Sequence, residues 1–340
     1  MILFFRLIII LNISIFLCLI ASISIDLSRL EKYFYQALYS KNLSLNFDSN
    51  NQVLVYFHIP NFADSDFNHV LTSSLALHGE KKYSQYLTEI KILSPFNLDK
   101  KLKKFKQGQK FSKNQHEISW LFSSGTFRKT CNVHSNLHQF KCCIFNFYSQ
   151  LGSKNDFHFL AIIRHPVKRY LSEWEHSDKV TIWKKQIKES PCHSIKLNKC
   201  LNTENKSTNL SLDEFMSCEF NLANNRQTRM LTNMQTGCEN MSDVLILEQA
   251  KDNLEKMHFF ALNEFQYLSQ KLFEKMFQGV KFFRSLPRQN DITKVSIKGY
   301  SSAQKDQLVK KIENLNSLDM ELYKFAINLF FKRLNSYEII

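Results

Sequence analysis

Two side chains near the middle of the chain are of the types that hold a phosphate. Arg164 stands at the head of a helical pattern and Ser172 lies within it, and an arginine fork plus a hydroxyl is a donor set suited to a phosphate monoester. A third residue, His134, carries the side chain whose ordinary pKa lies near neutrality, which lets it take a proton from an alcohol. It is one of eleven histidines, and a lone histidine is more often structural or merely exposed. Arg164 also admits a plainer reading, a surface arginine on an ordinary strand–turn–helix.

Those residues need elements to position them. Residues 159–163 read Phe-Leu-Ala-Ile-Ile, an unbroken apolar run as expected of a central strand buried on both faces. Pro166 fits the first position of a helix, where its missing N–H has no partner to lose. Val167, Tyr170, Leu171 and Trp174 then recur at i, i+3, i+4 and i+7, the stripe of a helix packed on a sheet. Arg164 and Ser172 stay off that stripe, near the crevice outside the strand ends where open α/β sheets bind ligands. A second buried strand is expected at residues 53–59, Val-Leu-Val-Tyr-Phe-His-Ile.

At 340 residues the chain has room for one large α/β domain with appendages. A net charge of +14 favours a polyanionic partner: nucleic acid, an acidic membrane face or an acidic polysaccharide. Lys, Asn, Phe and Ile are abundant while Gly (7) and Pro (5) are scarce, so part of that charge belongs to a general compositional bias. Seven lysines fall within residues 100–113, interleaved with Phe105 and Phe111. They read either as a solvated basic loop or as a landing strip for a sulfated or carboxylated polymer. His176 and Trp183, just past the helical pattern, offer an imidazole and an aromatic face to a sugar cleft, although Trp183 reads equally well as core.

Residues 7–25 carry no charge and approach the length that spans a bilayer. Arg6 before the run and Asp26 after it set a short cytoplasmic tail, with the bulk of the chain outside the cytosol. A cleaved signal peptide is the rival, because Ala21-Ser-Ile-Ser supplies small residues near the end of the run. Both place the rest of the chain in the secretory pathway. Asn42, Asn205, Asn209 and Asn240 each begin an Asn-x-Ser sequon, usable only in the lumen. Seven cysteines beyond residue 25 are expected to form disulfides there, with at least one thiol left over. Cys192–Cys200 and Cys218–Cys238 are the expected pairs, although spacing alone does not fix connectivity. Cys142 and Cys143 are adjacent and no CxxC occurs, so no zinc site is expected.

The stretch from residue 157 to 183 resembles the 3′-phosphate-binding motif of sulfotransferases that use 3′-phosphoadenosine 5′-phosphosulfate (PAPS). Residues 215–231, Phe-Met-Ser-Cys-Glu-Phe-Asn-Leu-Ala-Asn-Asn-Arg-Gln-Thr-Arg-Met-Leu, are closely similar to a signature of heparan-sulfate 6-O-sulfotransferases. The likeness continues through Phe-Phe-Ala-Leu-Asn-Glu-Phe at 259–265 and Leu-Phe-Glu-Lys-Met-Phe at 272–277. It resumes at 314–323, Asn-Leu-Asn-Ser-Leu-Asp-Met-Glu-Leu-Tyr, expected in the C-terminal helix. It covers roughly residues 52–334.

The resemblance implies an α/β fold, a three-layer sandwich around a parallel sheet like that of the P-loop kinases. It also implies a single-pass type II protein of the Golgi membrane with its catalytic domain in the lumen. The implied activity is transfer of a sulfuryl group from PAPS to the 6-hydroxyl of glucosamine in heparan sulfate, with no metal and no nucleic acid. Residue by residue, Arg164, Ser172, Ser65 and Lys294 fall to the cofactor, His134 to the base, and His176 and Trp183 to the acceptor. The expected organisation is a tail (1–6), a signal-anchor transmembrane helix (7–25), a lumenal stem (26–51) and the sulfotransferase domain (52–335).

The chain also departs from that pattern. The family follows its first strand with His-Ile-x-Lys-Thr-Gly-Gly-Thr, whereas here the text is His58-Ile59-Pro60-Asn61-Phe62-Ala63-Asp64-Ser65. Asn61 replaces the lysine that meets the phosphosulfate, and no glycine occurs from Val53 to His78. Glycines let backbone N–H groups approach a phosphate, and the lysine neutralises charge on the leaving oxygen. Asp64 and Asp66 add negative charge instead. His165 stands where an aspartate normally follows the motif arginine. Lys294 lies one position beyond a missing arginine, as a point charge without the bidentate fork. Two function classes therefore stand: a divergent heparan-sulfate 6-O-sulfotransferase, and a catalytically impaired descendant that binds heparan sulfate. A nucleic-acid-binding protein, suggested by charge alone, is disfavoured by the apolar segment and the sequons.

Overall fold

The apolar run at 159–163 forms the centre of a parallel sheet. The computed structural model describes residues 45–46, 52–59, 120–122, 136–150, 156–175, 211–218, 221–233, 242–278, 281–288 and 300–340. In chain order the elements are β1 (Leu45–Asn46), β2 (Gln52–Tyr56), β3 (Trp120–Phe122), α1 (Leu137–Gln150), β4 (Asp156–Ile163) and α2 (Pro166–Glu175). There follow α3 (Leu212–Ser217), α4 (Arg226–Met230), α5 (Asp243–Glu255), β5 (Phe259–Leu262), a 3₁₀ turn (Asn263–Phe265) and α6 (Gln266–Met276). The chain ends with β6 (Phe277–Gln278), α7 (Ser302–Leu315) and α8 (Ser317–Ser336).

Four strands pair in the order β3-β2-β4-β5, all parallel. The chain moves from β2 to β3 on one side, then crosses back so that β4 lies on the other side of β2. Among the described strands, the direction of winding thus reverses between β2 and β4. A doubly wound sheet binds its ligand at such a reversal, outside the carboxyl ends of the two strands. Within the stretch read as stem, β1 forms a separate parallel pair with β6.

Burial on both faces of the sheet explains the continuous apolar text. Residues 53–57 and 159–163 are all buried, as is every residue of β5. They share one core with apolar side chains of α1, α5, α6 and α8. Helix α2 belongs to a second cluster built with α3 and α7, in which Val167, Tyr170 and Leu171 meet Phe215 and Ile312, with Trp174 packed at its side. The expected stripe is therefore a packed face, but its partners are helices rather than the sheet. The other side of α2 is not a solvent face either, because Arg169, Ser172 and Glu173 are buried too. The stretch 314–323 also differs from expectation. It is the junction of two helices, broken at Asn316, a buried residue whose side chain donates back to the Ile312 carbonyl at 2.8 Å.

Residues 7–25 lie outside those described. No helix among the described residues is long and apolar enough to cross a membrane. Cys143 and Cys218 are disulfide-bonded, whereas Cys142 is exposed and free. Of the expected pairs, Cys192, Cys200 and Cys238 lie outside the described residues.

Candidate functional site

Arg164 directly follows β4, beside the reversal of the sheet, and Ser172 is buried on the helix that comes next. The two expected phosphate ligands thus lie on one strand–turn–helix unit. Arg164 is half-buried, and its Nε is sequestered from solvent with no hydrogen-bond partner among the described residues. Burial pushes the guanidinium below the ordinary arginine value, opposed by the nearby Glu264 carboxylate. A partly desolvated guanidinium with an unanswered donor suits an anionic oxygen acceptor, and a phosphate supplies several.

The backbone around Arg164 is held from two directions. On one side, the Arg164 N–H donates to Gln227 Oε1 at 2.9 Å, and Gln227 Nε2 donates back to the Arg164 carbonyl at 2.9 Å. On the other, the His165 N–H donates to Glu264 Oε1 at 3.0 Å, and the second oxygen of Glu264 accepts from the Tyr323 hydroxyl at 2.9 Å. Burial raises the Glu264 carboxyl above the usual range. The His165 ring stands edge-on to Tyr323 with centroids 5.3 Å apart. Its pKa is lowered to about 4 by burial, then by the charges of Lys168 and Arg164. At neutral pH the residue after Arg164 is therefore uncharged.

A deeper polar network carries these supports. Arg169 Nη1 donates to Glu173 Oε2 at 2.7 Å, and Arg226 Nε donates to the same oxygen at 3.0 Å. Arg226 Nη2 also donates to Glu173 Oε1. Burial would raise the Glu173 carboxyl, but Arg226 and then Arg169 outweigh it and hold it below its ordinary value. Arg169 in turn reaches Asn316 Oδ1 at 3.2 Å and lies 3.7 Å from Asp319 Oδ2. All of these groups are buried. The acids and bases answer one another, as burial of ions requires.

Strand β2 runs beside β4 on the other side of the reversal. The Phe57 N–H donates to the Leu160 carbonyl at 2.8 Å, extending the pairing of β2 with β4 beyond Tyr56. His58, next in line, is lowered to about 4 by burial and is neutral near pH 7. The loop with Asn61, Asp64, Ser65 and Asp66 lies outside the described residues. So do His134, His176, Trp183, Lys294 and the lysine strip at 100–113. The chain enters α1 shortly after His134 through a reciprocal cap: Asn136 Oδ1 accepts the Gln139 N–H at 2.8 Å, and Gln139 Oε1 accepts the Asn136 N–H at 3.2 Å.

A family model described as "Sulfotransferase family" matches residues 46–326. The chain belongs to the sulfotransferase family. Among curated relatives, it is 36% identical over 231 residues to heparan-sulfate 6-O-sulfotransferase 2 of Homo sapiens, covering 63% of this chain and 37% of that protein. The heparan-sulfate 6-O-sulfotransferase 2 of Gallus gallus is 36% identical over 232 residues, covering 63% of this chain and 56% of the relative. The heparan-sulfate 6-O-sulfotransferase 1 of Cricetulus griseus is 31% identical over 328 residues, or 89% of this chain and 73% of the relative. The chain thus resembles the heparan-sulfate 6-O-sulfotransferases, spanning only 37% of the human protein's length and 56% of the chicken protein's.

Three residues that brace the backbone around Arg164 do not stand out by type: Gln227, Glu264 and Asp319. Each lies in a stretch that carries the family likeness, 215–231, 259–265 and 314–323 respectively. That likeness is the only signal the sequence offers for them.

Proposed function

We propose that this chain is a divergent heparan-sulfate 6-O-sulfotransferase, a type II protein of the Golgi membrane built on the three-layer sulfotransferase sandwich, with residues 7–25 as its anchor. The observation that carries the reading is Arg164: a half-buried guanidinium at the reversal of a parallel sheet, its backbone pinned and its Nε unanswered among the described residues. Arg164 and Ser172 hold the 3′-phosphate of PAPS, while Ser65 and Lys294 approach its phosphosulfate end. His176 and Trp183 contact the sugar. His134 takes the proton of the glucosamine 6-hydroxyl as that oxygen bonds to sulfur. The bond from sulfur to the bridging phosphate oxygen breaks in the same in-line step, and 3′-phosphoadenosine 5′-phosphate (PAP) leaves. The products are the 6-O-sulfated sugar, PAP and a proton on His134.

Calorimetric titration with PAP tests this reading. Wild type is expected to bind saturably, and Arg164→Ala to lose binding because its bidentate phosphate contact is deleted. Absence of PAP binding in a wild type whose circular dichroism shows an intact fold would overturn it.

A second reading has its own observation. Asn61 in place of the loop lysine, with Asp64 and Asp66 nearby and no glycine from Val53 to His78, favours a descendant that binds heparan sulfate without turnover. Losing one electrostatic contact of that kind typically lowers rate by about 10²–10³. The two readings part on whether sulfate is transferred, not on whether heparan sulfate is bound.

A further inference from the structure

We propose that Gln227 is the positioning residue for the phosphate-binding arginine. The inference rests on the reading of Arg164 as the 3′-phosphate ligand and adds what fixes that ligand in place. Arg164 lies beyond the last residue of β4 and before the first turn of α2, so neither element's ladder takes up its N–H and carbonyl. The Gln227 side-chain amide takes that role. Its Oε1 accepts the Arg164 N–H and its Nε2 donates to the Arg164 carbonyl, both at 2.9 Å. A carboxamide has the donor and acceptor of a peptide group, so Gln227 prolongs the ladder by one residue from the side.

The clamp is itself fixed. Gln227 is 0% exposed, and its own N–H donates to Asp319 Oδ2 at 3.2 Å. With Glu264 accepting the next N–H at His165, the backbone on both sides of the Arg164 Cα is held. A ligand residue held this way does not have to be ordered when the anion binds, so less of the contact is lost to ordering.

Gln227 touches no phosphate in this scheme, so its effect should appear only in the affinity that the 3′-phosphate adds. PAP and adenosine 5′-phosphate differ by that group alone. The test is the ratio of their dissociation constants, measured by calorimetry on the full chain for wild type, Gln227→Met, Arg164→Ala and the double variant. Gln227→Met has nearly the same length and neither hydrogen bond. The expected result is a wild-type preference for PAP that falls about tenfold or more in Gln227→Met, with adenosine 5′-phosphate affinity changed less than about twofold. In the Arg164→Ala background the same substitution should change the ratio no further, because the two residues act through one contact. Gln227→Leu also lacks both hydrogen bonds and adds no charge beside the phosphate; it gives the same comparison should Gln227→Met not fold. A ratio unchanged in the folded Gln227 variants, or equal loss of both nucleotides, overturns the inference and leaves the reading of Arg164 intact. A wild type that binds both nucleotides equally overturns the reading of Arg164, and this inference with it.

Discussion

Asn225 and Asp319 cap each other's helices. Asn225, in the left-handed conformation at φ 49°, accepts the backbone N–H groups of Leu318 at 3.0 Å and Asp319 at 3.2 Å through its side-chain oxygen. Asp319 accepts those of Gln227 at 3.2 Å and Thr228 at 2.7 Å, and the Thr228 hydroxyl at 2.7 Å. Each helix thus satisfies the other's unpaired N-terminal donors, a task that a helix usually gives to its own cap. The left-handed backbone at Asn225 suits an asparagine, which tolerates it better than most residues. This exchange ties the start of α8 to the start of α4, and so to the residue that clamps Arg164.

Asp319→Ala should therefore destabilise well beyond a surface change. It strips two buried N–H groups and a hydroxyl of their acceptor and removes a carboxylate beside Arg169. The expected loss is about 3 kcal/mol, read as a lower urea midpoint at unchanged slope. A loss under about 0.5 kcal/mol, the range of an ordinary surface substitution, would mean that the exchange of caps contributes little.

The strand β4 and helix α2 are legible in the sequence because burial on both faces and a helical stripe are local signals. Arg164 is legible too, since it ends the apolar run. The burial of Arg169 and Glu173 is not. An Arg–Glu pair at i, i+4 reads as a solvated face, and it turns inward only because Arg226, 53 positions from Glu173, answers the same carboxylate. Gln227 is equally silent, because a glutamine amide gains its role from a backbone 63 positions away. The break at Asn316 is invisible for a related reason: its partners Arg169 and Asn225 belong to other elements.

Stability should fall as pH drops from about 6.5 toward 4. His58 and His165 are each lowered to about 4, chiefly by burial. Burial also lowers His158, against the pull of Asp156, and both its ring nitrogens lack a hydrogen-bond partner among the described residues. The unfolded chain binds protons at these groups near pH 6.5 and the folded chain does not, so in that window stability rises with pH. Each group contributes a slope of up to about 1.4 kcal/mol per pH unit. His258, edge-on to His158 at 4.5 Å between ring centroids, is lowered to about 4 as well, chiefly by burial. Glu264, raised by burial and acting in the opposite sense above its ordinary value, is thus one group against four. His158 packs edge-on to Phe277 at 6.4 Å between ring centroids, so a phenylalanine suits its surroundings. Replacing His158 with Phe should flatten the profile of urea midpoint against pH; a profile that is flat already in wild type would contradict the assignment.

Binding to heparan sulfate should run through the lysines at 100–113 and weaken as salt rises, because exposed charges are screened. Changing Lys101, Lys103, Lys104 and Lys106 to Ser should bring the protein off heparin resin at lower salt. Elution at the wild-type position would assign the strip to a solvated loop.

Asn61 decides how far the phosphosulfate loop limits the rate. Asn61→Lys should raise sulfate transfer, on the order of 10²-fold if the rest of the loop is sound. Ala63→Gly and Asp64→Gly should add to it by freeing the backbone and removing a repelling charge. Transfer that stays unchanged through all three substitutions would show that another cation already serves the leaving oxygen.

The most direct measurement is the appearance of 6-O-sulfated disaccharides. The full chain is incubated with PAPS and heparan sulfate, the polymer is cut with heparin lyases, and the disaccharides are separated and quantified. The expected result is a time- and PAPS-dependent rise in those sulfated at the glucosamine 6-position. Arg164→Ala and His134→Ala should both stay at baseline, the first without PAP binding and the second with PAP binding retained, since a base acts on the acceptor. A wild type that is folded and binds PAP, yet produces no 6-O-sulfated disaccharide even with Asn61→Lys, would contradict the assignment as a heparan-sulfate 6-O-sulfotransferase.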